Sequence, residues 1–302
     1  MAFSDSSRPS AETIKSREII IKKLEDIINL TIRMRCQLLL FGSCQSGLST
    51  NNSDIDLCLL VGGMNVDDMV DNSNINHNKI LRMLANAFHK NGIQAIPVLL
   101  TRVPIVKCFV DFYQVDICLN RPQGVRNSRL ISKYVSLDTR VRILCLAVKS
   151  FYETIGFLGS KTKGFTSYCA SLMVLFFLQH KKVIPNLQGY SLDPVALPKD
   201  ETSVGQLFLD FLLFYATMDF ERVVINIKNG GDLVARKEDT AVAVMIQDPL
   251  ESDVNCARLV TLERITLFKQ SCLDRRRVII KKLGRCNETK TPLKLREFIR
   301  VG

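Results

Sequence analysis

The stretch FGSCQSGLSTNNSDIDLCLLV, residues 41–61, constrains the fold of this chain more than any other. Two short apolar runs, Cys36–Phe41 and Ile55–Val61, flank a turn built on Gly42-Ser43 and an asparagine-rich segment, so they read as a pair of strands. A strand sends residues i and i+2 to one face, so Asp54 and Asp56 point the same way. Two carboxylates held that close repel unless a cation lies between them, and hard divalent cations such as Mg²⁺ take oxygen ligands of this kind. A glycine-serine turn can lay backbone N–H groups and a hydroxyl against phosphate oxygens. The pattern points to a metal-dependent site for a phosphorylated substrate.

Asp116 sharpens that reading. It lies in VDICLN, in another predicted strand, about sixty residues after the first pair. Three carboxylates on neighbouring strands can hold two Mg²⁺ ions, the arrangement that serves in-line nucleotidyl transfer. The bland alternative, that Asp54 and Asp56 only cap a turn beside Asn51, Asn52 and Ser53, explains neither the Gly-Ser turn nor Asp116.

The rest of the chain divides by texture. Ser10 is a good N-cap, and Ile20, Leu24, Ile27 and Ile28 recur at helical spacing, predicting a helix to about Met34. A polar loop over 62–76 and a helix over 79–89 follow. Strands are expected over 93–100, 106–111 and 114–119, with Pro104 limiting pairing. After Asn120-Arg121-Pro122 the pattern turns helical, with helices expected over 168–179, 205–215 and 254–269. The expected fold class is therefore α+β and two-lobed, a small mixed-sheet unit set into a larger helical one. Its parts are an N-terminal helix, 1–34, packing with the helical domain, a catalytic domain, 35–130, and a helical central domain, 131–302.

Composition decides some of the function classes. A net charge of +11 and a pI near 9.2 favour a polyanionic partner such as nucleic acid. A hydrophobic share of 47% and a mean hydropathy of +0.11 exclude a disordered chain. The ten cysteines form no C-x-x-C pair and sit mostly in apolar runs, as small hydrophobes in a reducing compartment do. Three dispersed histidines suggest no zinc site. The chain opens on no signal peptide, and its longest apolar run, 169–178, is too short to span a bilayer. A soluble cytoplasmic protein without a membrane partner is expected.

Taken together, Gly42-Ser43, Asp54-Ile-Asp56 and Asp116 resemble the signature of the polymerase-β-like nucleotidyltransferases. Further blocks, VPIVKC at 103–108, SLDTRVRILCLAVKSF at 136–151, TSYCASLMVLFFLQ at 166–179 and QDPLESDVNCAR at 247–258, are similar to the noncanonical cytoplasmic poly(A) polymerases of the germline-development type, kin of the terminal uridylyltransferases.

The resemblance implies a two-lobed nucleotidyltransferase that adds AMP from ATP to RNA 3′ ends, using Mg²⁺ or Mn²⁺ held by Asp54, Asp56 and Asp116. It further implies that Gly42 and Ser43 bind the terminal phosphates, that Asn127 meets the ribose 2′-hydroxyl, and that Lys149 binds the triphosphate. Tyr168 would stack on the base beside Ser167, and Asp248 and Glu251 would belong to the nucleotide recognition motif. Uridylyl-transferring relatives place a histidine before the motif's asparagine. Here Val254 precedes Asn255, which favours ATP, with uridylyl transfer as the alternative.

Where some relatives carry a second lysine, this chain has Glu153, expected to pair with Lys149 or to face solvent. Arg275–Arg277 with Lys281, Lys282 and Arg285, and Arg126 with Arg129, are candidate RNA-backbone contacts. With no RNA-binding module in view, target choice is expected to fall to an RNA-binding partner protein. A catalytically silent scaffold keeping the fold is the reading from another class.

Overall fold

Along strand β2 (Ile55–Val61), Ile55, Leu57, Leu59 and Val61 join one buried cluster while Cys58 and Leu60 join another. Period-two alternation splits a strand between the two faces of its sheet, and the whole N-terminal unit follows from that split. The computed structural model describes residues 8–68, 75–188, 200–236 and 242–289. They fall into two compact units that part between Val135 and Ser136.

The N-terminal unit runs in the order α1 (Ala11–Thr31), β1 (Cys36–Phe41), α2 (Gly42–Ser46), β2, α3 (His77–Lys90), β3 (Gln94–Val98), β4 (Ile105–Val110), β5 (Tyr113–Leu119) and α4 (Gln123–Leu137). The five strands form one sheet in the order β1-β2-β5-β4-β3. β2 and β5 pair in parallel; the other pairs are antiparallel. Pro97, which has no N–H to donate, sits in β3 at the sheet edge, where a missing donor costs least. The mixed sheet agrees with the α+β expectation.

Beneath the sheet, Ile20, Leu24, Ile27 and Ile28 of α1 and Leu81, Leu84 and Phe88 of α3 pack against Leu57, Val106, Val115 and Ile117. Each such side chain contributes on the order of 1.5–3 kcal/mol by leaving water. The N-terminal helix α1 shares its buried cluster with the sheet. Its apolar stripe covers the sheet, and its start is tied to the loop before Asp54. α4, near whose C-terminal end the two units part, docks on the sheet through Val125.

The C-terminal unit holds α5 (Thr139–Thr154), α6 (Ser167–His180), α7 (Val204–Thr217) and α8 (Leu262–Thr289). A small sheet of β6 (Val223–Ile225), β7 (Val234–Ala235) and β8 (Met245–Ile246) accompanies them, in the order β7-β6-β8. Its core is aromatic: Phe165 and Phe268 meet edge-on with centroids 5.2 Å apart, and Tyr152 meets Phe268 likewise at 5.4 Å. The buried Tyr215 hydroxyl donates to the Met173 carbonyl at 2.7 Å.

The helix expected over 254–269 begins only at Leu262. Asn255 is the reason. Its Oδ1 accepts from the N–H groups of Ile246 and Ala257, and its Nδ2 donates to the Val244 carbonyl, so the side chain takes backbone partners and holds the segment as a loop.

Candidate active site

Register brings the carboxylates together. Asp56 and Asp116 are direct partners across β2–β5, the one parallel pair in the five-stranded sheet. Asp54 lies two residues before Asp56, just ahead of β2, and its Oδ2 accepts from Gln114 Nε2 at 3.0 Å. Gln114 is two residues before Asp116, so the four side chains occupy one face of two adjacent strands. On the far side of Asp116, its antiparallel partner is Lys107, whose Nζ lies 3.1 Å from Oδ1 and donates to Oδ2 at 3.2 Å.

The Gly-Ser turn is fitted to this row. Gly42 has φ +67°, a left-handed conformation that favours glycine, and a Cβ there would overlap Asp56 Oδ2. No other residue permits the turn and the carboxylate to approach so closely. The Gly42 N–H donates to Ser128 Oγ at 2.8 Å, and Ser128 Oγ donates to the Gly124 carbonyl at 2.6 Å. These bonds seat α4, which carries Asn127, against the turn. Ser43 follows in the short helix α2, which ends at Gly47 with φ +77°.

Behind the site, α1 braces the loop that delivers Asp54. Buried Arg17 sends its Nη2 to the carbonyls of Thr50 (2.8 Å), Asn51 (3.3 Å) and Ser53 (2.8 Å). Asn51 Oδ1 in turn accepts from the Ser10 N–H and the Thr13 hydroxyl. Nη2 has two hydrogens, so the three carbonyls share them, and a charge-assisted contact of this kind contributes about 1.5–3 kcal/mol, enough to fix a loop that has no sheet partner.

The carboxylates suit Mg²⁺ in ligand type and in register. In the present arrangement, however, no group of three His, Cys, Asp or Glu side chains among the described residues converges to enclose an ion. Asp54 is turned to Gln114, and the Lys107 ammonium stands where positive charge is wanted beside Asp116.

The remaining candidates lie in the C-terminal unit. Tyr168 and exposed Ser167 open α6, capped by Thr166, whose side chain accepts from the Cys169 N–H. Burial first, and then the nearby Asp248 carboxylate, push the Tyr168 hydroxyl's pKa well up. The structure therefore brings Tyr168 and Asp248 together. Asp248 is itself buried, and its Oδ1 accepts from the N–H groups of Leu250 and Glu251. The 248–254 loop is closed by backbone bonds from Asp248 to Val254 and from Val254 to Glu251. Asp248 braces this loop from within. Lys149 is half-buried on α5, while Glu153 faces solvent.

The basic clusters do not present a continuous face. Arg275 is buried with its guanidinium 5.6 Å from the Phe151 ring, Arg277 pairs with Asp274, and Arg126 donates to the carbonyls of Val66 and Asp68. Sequence reasoning passed over Arg17, Lys107, Gln114 and Ser128. Lys107 lies within VPIVKC, but only strand register reveals that it faces Asp116. The others act across large separations that no local pattern encodes.

Comparison with known proteins gives concordant matches. Residues 1–136 match the family model described as "Poly(A) RNA polymerase, mitochondrial-like, central palm domain", and residues 203–254 match "Cid1 family poly A polymerase". The chain is 30% identical over 298 residues to terminal uridylyltransferase 7 of Homo sapiens, covering 87% of this chain and 20% of that protein. It is 31% identical over 237 residues to the poly(A) RNA polymerase gld-2 of Caenorhabditis elegans, covering 68% and 21%. The chain thus spans about a fifth of the length of these two relatives. A crystal structure of the Cid1 poly(U) polymerase with Mg and 3′-dATP bound superposes with a TM-score of 0.77 at 23% identity, covering 91% of each chain.

Proposed function

We propose that this chain, a homologue of the GLD2-type poly(A) polymerases and the terminal uridylyltransferases, is an RNA nucleotidyltransferase that adds nucleotides without a template to RNA 3′ ends, with ATP as the preferred donor. The observation that carries the reading is the Asp56–Asp116 pair, adjacent across a parallel ladder and closed on one side by Gly42. In this reading Asp54, Asp56 and Asp116 hold Mg²⁺, which when bound supplies neutralisation of phosphate charge and a lowered pKa for the attacking 3′-hydroxyl.

The chain's own residues do the rest. Gly42 and Ser43 present the turn's N–H groups and hydroxyl to the terminal phosphates, and α4 offers the Asn127 amide to the ribose 2′-hydroxyl. Lys149 supplies a point charge for the triphosphate. Tyr168, with Ser167 beside it, gives the base a flat surface. Asp248 is a positioning residue, since its carboxylate holds the N–H groups of residues 250 and 251 and so shapes the loop carrying Glu251 and Val254.

Apolar Val254 offers no hydrogen bond to uracil, which supports ATP. A lost hydrogen bond in a buried site decides between bases by about 1–3 kcal/mol. The second reading, UTP as donor, is favoured by the 30% identity to terminal uridylyltransferase 7. The proposed setting is the cytoplasm, with an RNA-binding partner selecting targets. Among the described residues no helix is long and apolar enough to cross a membrane.

Incubation of the purified chain with Mg²⁺, a short oligo(A) and each NTP separately tests the proposal. Extension with ATP ahead of UTP is expected. Faster extension with UTP reverses the base assignment, and no extension with any nucleotide sinks the transferase reading.

A further inference from the structure

The carboxylate face of the sheet is lopsided. On the β1 side, the Gly42-Ser43 turn crowds Asp56. On the β4 side, register sets Phe109 between Gln94 and Gln114, in the row of Asp54, and sets Ile96 opposite Lys107, in the row of Asp56 and Asp116. Phe109 and Ile96 are thus diagonal neighbours on adjacent strands, within side-chain reach of each other. Both are open, Phe109 38% and Ile96 47% exposed, although the residues alternating with them, Ala95, Val106, Cys108 and Val110, are all buried.

An exposed ring and an isoleucine beside an acidic centre, with a lysine between them, suit a ligand that has a flat apolar face and a negative backbone. A nucleotide of a single strand is such a ligand. In-line displacement adds a direction, because nucleophile and leaving group must lie on opposite sides of the phosphorus. With the donor's terminal phosphates at the turn on the β1 side, the 3′-hydroxyl has to enter from the β4 side.

We infer that Phe109, backed by Ile96, is the platform on which the 3′-terminal base of the acceptor RNA stacks. This rests on the transferase reading and gives it an acceptor subsite. Stacking tolerates any base, so the platform holds the strand without selecting its sequence.

The test is fluorescence anisotropy of a 5′-labelled 12-residue oligo(A) with wild type, Phe109→Ala, Phe109→Tyr and Phe112→Ala, followed by KM for RNA and for NTP. Phe109→Ala is expected to weaken RNA binding about 5- to 100-fold and to raise the RNA KM alike, with the NTP KM and the melting temperature unchanged. Phe109→Tyr restores binding, and Phe112→Ala, in the turn between β4 and β5 and fully exposed, matches wild type. An oligo(A) with an abasic 3′ terminus binds wild type and Phe109→Ala equally. Equal binding of the intact oligonucleotide by both proteins, no binding by wild type, or an equal loss with the abasic strand overturns the platform. Absence of extension by wild type counts against transfer itself, while the binding series still scores the platform.

Discussion

Along β5, Val115, Ile117 and Leu119 go into the core beneath the sheet, while Gln114, Asp116 and Cys118 go to the opposite face. β2 divides in the same way between Ile55, Leu57, Leu59 and Val61 below and Asp56, Cys58 and Leu60 above. Below, aliphatic side chains close under α1 and α3. Above, carboxylates, an amide and an ammonium share a surface with open Phe109 and Ile96. The two faces cannot be adjusted separately, because a slip of one residue would send every aliphatic side chain upward and every carboxylate into the core. The buried face therefore fixes the register that brings the carboxylates together.

Substitutions on the two faces should separate chemistry from stability. The largest expected effect on transfer is from Asp116→Ala, which abolishes extension while moving the thermal midpoint by no more than a few degrees, since Asp116 is only partly buried. A melt and an extension assay on the same sample check it. If Asp116→Ala extends normally, the division of labour between the faces breaks.

Its neighbour Ile117→Ala should behave in the opposite way. Opening a cavity beneath the sheet costs about 2–5 kcal/mol, seen as a lower denaturation midpoint, while the molecules that remain folded extend RNA normally. Arg17→Ala should show both effects on a smaller scale. Losing the guanidinium that serves the carbonyls of residues 50, 51 and 53 costs about 1–3 kcal/mol and raises the Mg²⁺ concentration needed for half-maximal activity through the loop carrying Asp54. Arg17→Lys is expected to recover part of the stability but not the three-carbonyl grip. The smallest effect lies away from the sheet: Val254→His should shift the ATP-to-UTP rate ratio toward UTP by about tenfold, with stability unchanged. An unmoved ratio would take the base choice away from Val254.

The strands that bear the carboxylates were legible because alternation and glycine punctuation are local. The spacing Asp54-Ile-Asp56 put two acids on one face, and VDICLN announced a third on another strand. The short strands β6, β7 and β8 were not legible, since two or three residues carry no period. Asn255 shows why a helical pattern over 254–269 misleads: its amide binds the backbone at 244, 246 and 257, and those partners exist only once β8 is in place. The aliphatic stripe of α1 was legible, but what it covers was not. A stripe says that a face is buried, and the partner is chosen by the shape of what the rest of the chain offers.

By itself the sequence determined the alternating strands, the glycine-serine turn, the three acids and the block order that places the chain among its relatives. All of these are set by residue types at short range. Only the tertiary structure decided that Asp56 stands beside Asp116, that Gly42 must lack a side chain because Asp56 occupies its place, and that Lys107, Gln114, Ser128 and Arg17 contact the acids, the turn and the loop between them. The deciding contacts join residues brought together by strand register and helix docking, and register is settled by the burial of a whole face at once rather than by any one residue along the chain.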